Sequence, residues 1–352
     1  MKDETVKLTQ MVQLHGCSCK LRERELDKLL ETAGIKFLKR DNILIGPGDD
    51  AGAIKIRADL AYVTHLDFFT PIIDDPYLYG KIAACNSASD VFVKGAVDDI
   101  GVLVIMGGPS EVSIEVLQRT LEGVRDFCKE VNAEILGGHT IVNPWPILGA
   151  SVTATMHPKM IIRNSNAKPG DILILTKPLG TQPAMGAVRA LEQMKDAVTS
   201  VISEKQVTDL RDFATKVMTT PNNYAGEAML EVSVNASTDI TGFGLMGQAA
   251  IMAKRSGVDI EIRILPVMEG THKLSLLFGY GLDRGESAET SGGALISVPE
   301  KRKDRLISAL EKRKVPAYEI GVVNKGTGHA VLAKEKKIIE ITSGAFIYRQ
   351  TS

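Results

Sequence analysis

The sequence predicts an α+β protein of two domains. The chain has 352 residues, the length of two ordinary domains joined. Strand-like apolar runs and helix-like periodicity are interspersed along all of it. Midway, the polar stretch Asn164-Ser165-Asn166-Ala167-Lys168-Pro169-Gly170-Asp171 breaks the pattern with a Pro-Gly turn, and the pattern then restarts. The expected division is an arm over residues 1–20, a first domain over 21–163 and a second over 164–352.

The elements follow in order. Residues 1–20 are polar and include Gly16, which reads as a mobile arm. Helical periodicity begins near Leu21 and runs through Leu26, Leu29 and Leu30. Ala61–Thr64, Gly101–Met106 and Ile147–Met156 read as strands. Between them, Ile114, Leu117, Leu121, Val124, Cys128 and Val131 recur in steps of three and four, one face of an amphipathic helix with Ser113 at its N-cap. That pattern makes Cys128 a core residue. Beyond the linker, Ile172–Thr176, Gly293–Val298 and His329–Ala333 read as strands.

Composition excludes several function classes. With 42 basic and 43 acidic residues the net charge is −1, so nothing pulls the chain toward nucleic acid or an anionic membrane. No apolar run has the length of a membrane-spanning helix, and Met1-Lys2-Asp3-Glu4 does not open a signal peptide. Four cysteines, Cys17, Cys19, Cys85 and Cys128, are too sparse for a disulfide scaffold and fit a reducing cytoplasm.

The chemistry-bearing segments begin with His15-Gly16-Cys17-Ser18-Cys19-Lys20, which sets two thiols beside an ammonium group. A cysteine reacts as the thiolate, and a nearby Lys favours that form. Four further segments carry aspartates: Gly46-Pro47-Gly48-Asp49-Asp50-Ala51, Thr64-His65-Leu66-Asp67, Asn86-Ser87-Ala88-Ser89-Asp90 and Ser237-Thr238-Asp239-Ile240-Thr241-Gly242. Most read as strand ends or helix starts, where a single Asp is ordinarily a cap or turn residue. Taken as a set they suit Mg²⁺, a hard cation that bridges carboxylates to phosphates, because converging carboxylates repel one another without one. Gly137-Gly138-His139-Thr140 reads as a turn whose backbone admits a phosphate, although no P-loop ending is present. Thr290-Ser291-Gly292-Gly293 reads as a structural turn.

Together these motifs resemble the selenophosphate synthetases (selenide, water dikinases), nearly end to end. The aspartate and glycine motifs are shared with the wider aminoimidazole ribonucleotide synthetase-like superfamily, which includes thiamine monophosphate kinase and a hydrogenase maturation factor. The Cys/Lys motif singles out the selenium enzymes. The resemblance implies a two-domain fold of that superfamily, in which the N-terminal sheets of a homodimer pair into a barrel-like core. It implies ATP-dependent conversion of selenide and water to selenophosphate, AMP and phosphate, with hand-over of the product to selenium-incorporating enzymes. It places Cys17 and Lys20 at catalytic positions and Asp50, Asp90 and Asp239 at Mg²⁺ ligands. Nucleotide contacts fall on Lys20, Pro47, Gly48, Asp49, Asp67 and Asp90, and on a loop with Gly138, His139 and Thr140 that the dimer partner can contribute.

Three positions depart from the family pattern. Ser18 replaces the usual glycine, which stiffens the arm; His65-Leu66 replaces a Thr-Thr pair; and Gln248 stands where histidine is common. Two competing readings are another ATP-dependent enzyme of the superfamily, which would need neither Cys17 nor Lys20, and a thiol carrier of selenium or a metal, which would not need the aspartates.

Overall fold

A computed structural model describes residues 6–21, 23–35 and 40–346. The parts of the expected arm and domains that fall on 1–5, 22, 36–39 and 347–352 lie outside the described residues.

The first half runs α1 (Glu23–Thr32), β1 (Ile43–Ile45), β2 (Gly52–Arg57), β3 (Leu60–Phe69), α2 (Pro76–Phe92), β4 (Asp98–Gly108), α3 (Ile114–Glu130), β5 (Glu134–Val142) and β6 (Ile147–Met156). Its six strands form one sheet in the order β1-β2-β3-β6-β4-β5, antiparallel except for β4 beside β5. The second half runs β7 (Asp171–Leu175), α4 (Thr181–Ala190), α5 (Lys195–Thr199), α6 (Glu204–Thr219), α7 (Asn223–Val232), β8 (Ala236–Asp239), α8 (Gly244–Ser256), β9 (Val258–Met268), α9 (Thr271–Phe278), β10 (Ala294–Pro299), α10 (Lys303–Lys312), β11 (Tyr318–Lys325) and β12 (Ala330–Ile341). Its six-stranded sheet has the order β12-β9-β11-β7-β10-β8, antiparallel except for β12 beside β9. Each half is mixed α/β around one sheet, as the interspersed patterns predict.

Local chemistry explains the elements that position the site. Asp75 caps α2 by accepting the Leu78 N–H at 2.9 Å, and Pro76 supplies a preset φ at the first helical position. Ser203 and Gln206 bond reciprocally as a capping box that opens α6. Helix α3 starts after Ser113 as its periodicity predicts, and Cys128 is buried on its inner face. β3 alternates strictly: Ala61, Val63, Asp67 and Phe69 point inward, while Tyr62, Leu66 and Phe68 point out. The predicted α1 forms, but Leu26 and Leu29 of its apolar stripe stay exposed.

One cluster, around Leu173, Ile262 and Leu295, belongs to the second half alone, but the other two are shared between the halves. Phe69, Phe92 and Phe127 of the first half share one cluster with Met185, Phe213 and Met218 of α4 and α6. Val93 and Ile162 lie in a cluster otherwise made by α7, α10 and the second sheet. The polar linker is coil between β6 and β7, yet Asn164 is buried and its N–H reaches Asp49 Oδ2 at 3.3 Å. No described helix is long and apolar enough to cross a membrane.

Candidate active site

The site forms where α2, the turn before β2 and the end of β8 meet beneath the N-terminal segment. Oxygen atoms of Asp50, Asp90 and Asp239 lie within 4.8 Å of one another. Asp50 lies in the turn ahead of β2, Asp90 in the last turn of α2, and Asp239 ends β8. The expectation of strand ends and helix starts therefore holds for Asp50 and Asp239 only. Asp90 lies inside a helix, and Asp67 lies inside β3 with its side chain turned into the core. Period alternation and helical phase, not caps, deliver those two.

The carboxylates are held apart from water, and each is handled differently. Lys94 is fully buried and sits 2.6 Å from both Asp49 Oδ1 and Asp50 Oδ2. Thr238 Oγ1 donates to Asp50 Oδ1 at 2.7 Å, and Ser89 Oγ donates to Asp239 Oδ2 at 2.5 Å. Asp239 Oδ1 is buried with no hydrogen-bond partner. Burial pushes the carboxyls of Asp90 and Asp239 well above the ordinary range, and their neighbours Asp50 and, for Asp239, Asp90 push further. Such a set fits a hard divalent cation. It offers converging hard oxygens, one of them an orphan, and the nearest buried ammonium already serves Asp49 and Asp50. His65 and Asp67 also approach Asp90 to the same limit, with His65 Nε2 3.0 Å from Asp90 Oδ2.

The segment over residues 6–20 is docked along its length and meets the edge of this cluster at Lys20, which reaches Asp67. Thr9 bonds Asp74 through its N–H and its hydroxyl, at 2.8 and 2.7 Å, and Lys7 pairs with Glu192 at 2.8 Å. Ser18 Oγ donates to His15 O at 2.6 Å. Lys20 Nζ meets Asp67 Oδ2 at 2.6 Å, and the same oxygen accepts from Asn86 Nδ2 at 2.6 Å. Burial alone would lower the Lys20 pKa, but the carboxylates around it, Asp67 and Asp90 among them, hold the ammonium above its usual range.

Cys17 corrects one expectation. Its side chain is wholly buried, and its Sγ faces Asn86 Oδ1 at 3.1 Å, which is an acceptor and not a donor. Desolvation pushes the thiol far above its ordinary range, and Lys20 offsets only part of that. In this conformation Cys17 is a neutral thiol, not a Lys-activated thiolate.

Two further expectations change. Gly137–Thr140 is no turn: it belongs to β5, an exposed edge strand. Three strand spacings separate β5 from β3, about 14 Å by ordinary sheet geometry, so Gly138, His139 and Thr140 do not join the carboxylates within one chain. Conversely, Thr290-Ser291-Gly292-Gly293 is part of the site: Thr290 Oγ1 accepts the Cys17 N–H at 3.2 Å, and Ser291 N donates to Asn86 Oδ1 at 2.9 Å. Pro47, Gly48 and Asp49 lie in the turn that carries Asp50, and Gly242 follows Asp239 so closely under the arm that a Cβ there would lie 2.7 Å from Cys17 O.

Sequence reasoning missed Lys94, although a lone Lys inside the apolar run Val91–Val97 was the available signal. It also missed Lys177 and Glu289. Glu289 is buried, accepts from Gly180 N, Thr181 N and Thr181 Oγ1 at 2.6–2.8 Å, and is pushed up to about 7 by burial. An acid whose folded pKa is raised loses its favourable protonated state as pH climbs from the unfolded value, 4.5, toward 7. Wild type should therefore lose on the order of 2–3 kcal/mol relative to Glu289→Gln across that window. Denaturant unfolding of both proteins from pH 4.5 to 8 measures this, and a pH-independent difference would show that Glu289 ionises normally.

The fold is that of the AIR synthase related proteins: residues 48–156 match the N-terminal domain of that family and residues 168–334 its C-terminal domain. Solved structures agree in fold, among them thiamine monophosphate kinase from Aquifex aeolicus (TM-score 0.66, 20% identity, 91% of this chain and 100% of that one) and a HypE–HypF complex (TM-score 0.66, 18% identity, 89% and 97%). Within that class, the chain is 48% identical to the selenide, water dikinase of Methanocaldococcus jannaschii, over 96% of this chain and 99% of the relative. It is 38% identical to that of Caldanaerobacter subterraneus, over 92% and 97%. The chain belongs to the selenide, water dikinase family.

Proposed function

We propose that the chain makes selenophosphate from selenide, ATP and water, releasing AMP and phosphate. One observation carries this reading: the Cys17–Lys20 segment lies directly over the buried Asp50, Asp90 and Asp239 cluster. A small-molecule kinase of the same fold would use the carboxylates and leave the thiol without a task.

Phosphoryl transfer asks the protein for positioning and charge neutralisation more than for covalent chemistry. Asp50, Asp90 and Asp239 would hold Mg²⁺, which when bound would neutralise polyphosphate charge. Lys20, fixed by Asp67, supplies an ammonium to the transferred group. In this reading the residues 46–51 turn and Asp67 would contact the nucleotide. The docked arm excludes water from Cys17, so a soft, oxidisable selenide held there is kept from solvent. Because Cys17 is fully buried when docked, the segment that carries it must lift to admit selenide and close again for transfer.

A homodimer completes the proposal. Ile54, Tyr62, Leu66, Phe68 and Leu103 are exposed on the outer face of the first sheet, with Ile54 paired to Tyr62 and both Leu66 and Leu103 paired to Ser151. An apolar sheet face of this kind suits a second copy, which would bring Gly138, His139 and Thr140 of its own edge strand to the nucleotide. The product, selenophosphate, would pass to selenium-incorporating enzymes.

³¹P NMR of the purified protein with Mg·ATP tests the reading. Adding selenide under anaerobic conditions should give selenophosphate, AMP and phosphate in equal amounts. ADP accumulating at the same rate with and without selenide would refute it.

A further inference from the structure

Cys17 is received by a turn from the opposite half of the chain. Thr290 Oγ1 accepts the Cys17 N–H at 3.2 Å, and Asn86 Oδ1 accepts both the Cys17 thiol, at 3.1 Å, and the Ser291 N–H, at 2.9 Å. Gly16, at φ 56°, brings the arm so near that a Cβ there would lie 2.4 Å from Thr290 Oγ1. Thr9 to Asp74 and Gly16 N to Thr70 O grip the segment ahead of Cys17; Thr290 and Asn86 grip Cys17 itself.

The turn is braced from behind at each residue. Thr290 N donates to Thr181 Oγ1 at 3.0 Å, and Thr181 in turn donates to the buried Glu289 at 2.6 Å. Ser291 O accepts from Lys177 Nζ at 2.8 Å, an ammonium buried with no carboxylate partner among the described residues and anchored also to Thr220 O at 2.6 Å. Gly292 O accepts from Asn222 Nδ2 at 2.9 Å. Ser291 is held at φ 51°, in the left-handed region, an arrangement that persists only where the surroundings impose it. Two buried ionisable groups and a strained residue are more than a connection into β10 requires.

We propose that the Thr290–Ser291 turn is the receptor for the thiol-bearing arm, and that Thr290 is a positioning residue that sets how often Cys17 is seated beside the carboxylates. Through Ser291 N the same turn aims the Asn86 amide, whose other end bonds the Asp67 oxygen that holds Lys20. Seating the thiol and aligning the ammonium are therefore one event. The inference rests on the proposed role of Cys17, but its physical claim concerns docking alone and needs no selenide to test.

The test is the rate at which iodoacetamide alkylates Cys17, followed by peptide mass spectrometry in a Cys19→Ser background so that the arm carries one thiol. Thr290→Val keeps the side chain's shape and removes the acceptor. It should raise the alkylation rate roughly three- to tenfold, the population change that loss of one hydrogen bond produces. Thr290→Ser should return the rate to that of the parent, because the hydroxyl is restored. Equal rates in Thr290→Val and the parent would overturn the proposal. So would acceleration in both Thr290 variants, which would assign the effect to packing. Failure of the selenide reaction alone would leave these rates unchanged and so marks a failure of the functional reading instead.

Discussion

Cys17→Ser will lose selenide-dependent product by about a hundredfold or more and keep its fold, because a hydroxyl is neither soft nor acidic enough to replace a thiol. The structure sharpens this expectation. Cys17 Sγ already donates to Asn86 Oδ1 in a fully buried site, and a serine hydroxyl makes the same bond in less space. The variant's stability should therefore stay within about 1 kcal/mol of wild type, and its arm should dock as before. A loss of activity then reports chemistry and not misplacement. Cys19 is only half-buried and belongs to the same short turn. Cys19→Ser should retain most activity. Product formation measured by ³¹P NMR, with thermal melts alongside, decides it; equal loss in both variants would point to a two-thiol ligand and remove Cys17 from its singular role.

The burial of Cys17 also shows where sequence reading stops. A Lys three residues away argues for a thiolate, and that inference considers neighbours in the chain. Asn86 comes from α2 and Thr290 from the turn before β10, so the acceptor and the desolvation that decide the protonation state were invisible to local reasoning. The carboxylates were legible for the opposite reason. Asp50, Asp90 and Asp239 each stand beside small or hydroxylated neighbours, and Thr238 and Ser89 among those neighbours bond the carboxylates directly. Their convergence needed the fold, since α2 and β8 meet only through long-range packing. The apolar runs marked β6 over its full length but β3 and β4 only in part, because the polar residues His65, Asp67 and Asp98 within those two strands break a hydropathy pattern without breaking the ladder. Gly137-Gly138 looked like a turn by composition. An edge strand tolerates both glycines, since only one neighbour has to be matched.

Asp239→Asn will make the protein more stable without metal while ending turnover with it. Asp239 is wholly buried, one of its oxygens has no hydrogen-bond partner, and oxygens of Asp50 and Asp90 lie within 4.8 Å. Converging carboxylates destabilise the fold that holds them unless a cation is present. A neutral amide of the same shape removes that repulsion and adds donors toward Asp50 and Asp90, a gain of about 1–2 kcal/mol, or roughly 2–4 °C per kcal/mol in melting temperature for a chain of this class. Asp50→Asn should gain less, because Asp50 already has Lys94 at 2.6 Å and its neutralisation leaves that buried ammonium with one carboxylate, Asp49, in place of two. Turnover should fall about a hundredfold or more in both, since a lost ligand charge on a polyphosphate site is not made good by water. Melting curves with EDTA and with saturating Mg·ATP separate the two effects. Wild type should rise by the linkage term, about 3 kcal/mol at a hundredfold excess over Kd, and Asp239→Asn should not. An Asp239→Asn protein that melts no higher than wild type in EDTA, and still responds fully to Mg·ATP, would make the cluster a hydrogen-bonded structural element and leave the cation without its site.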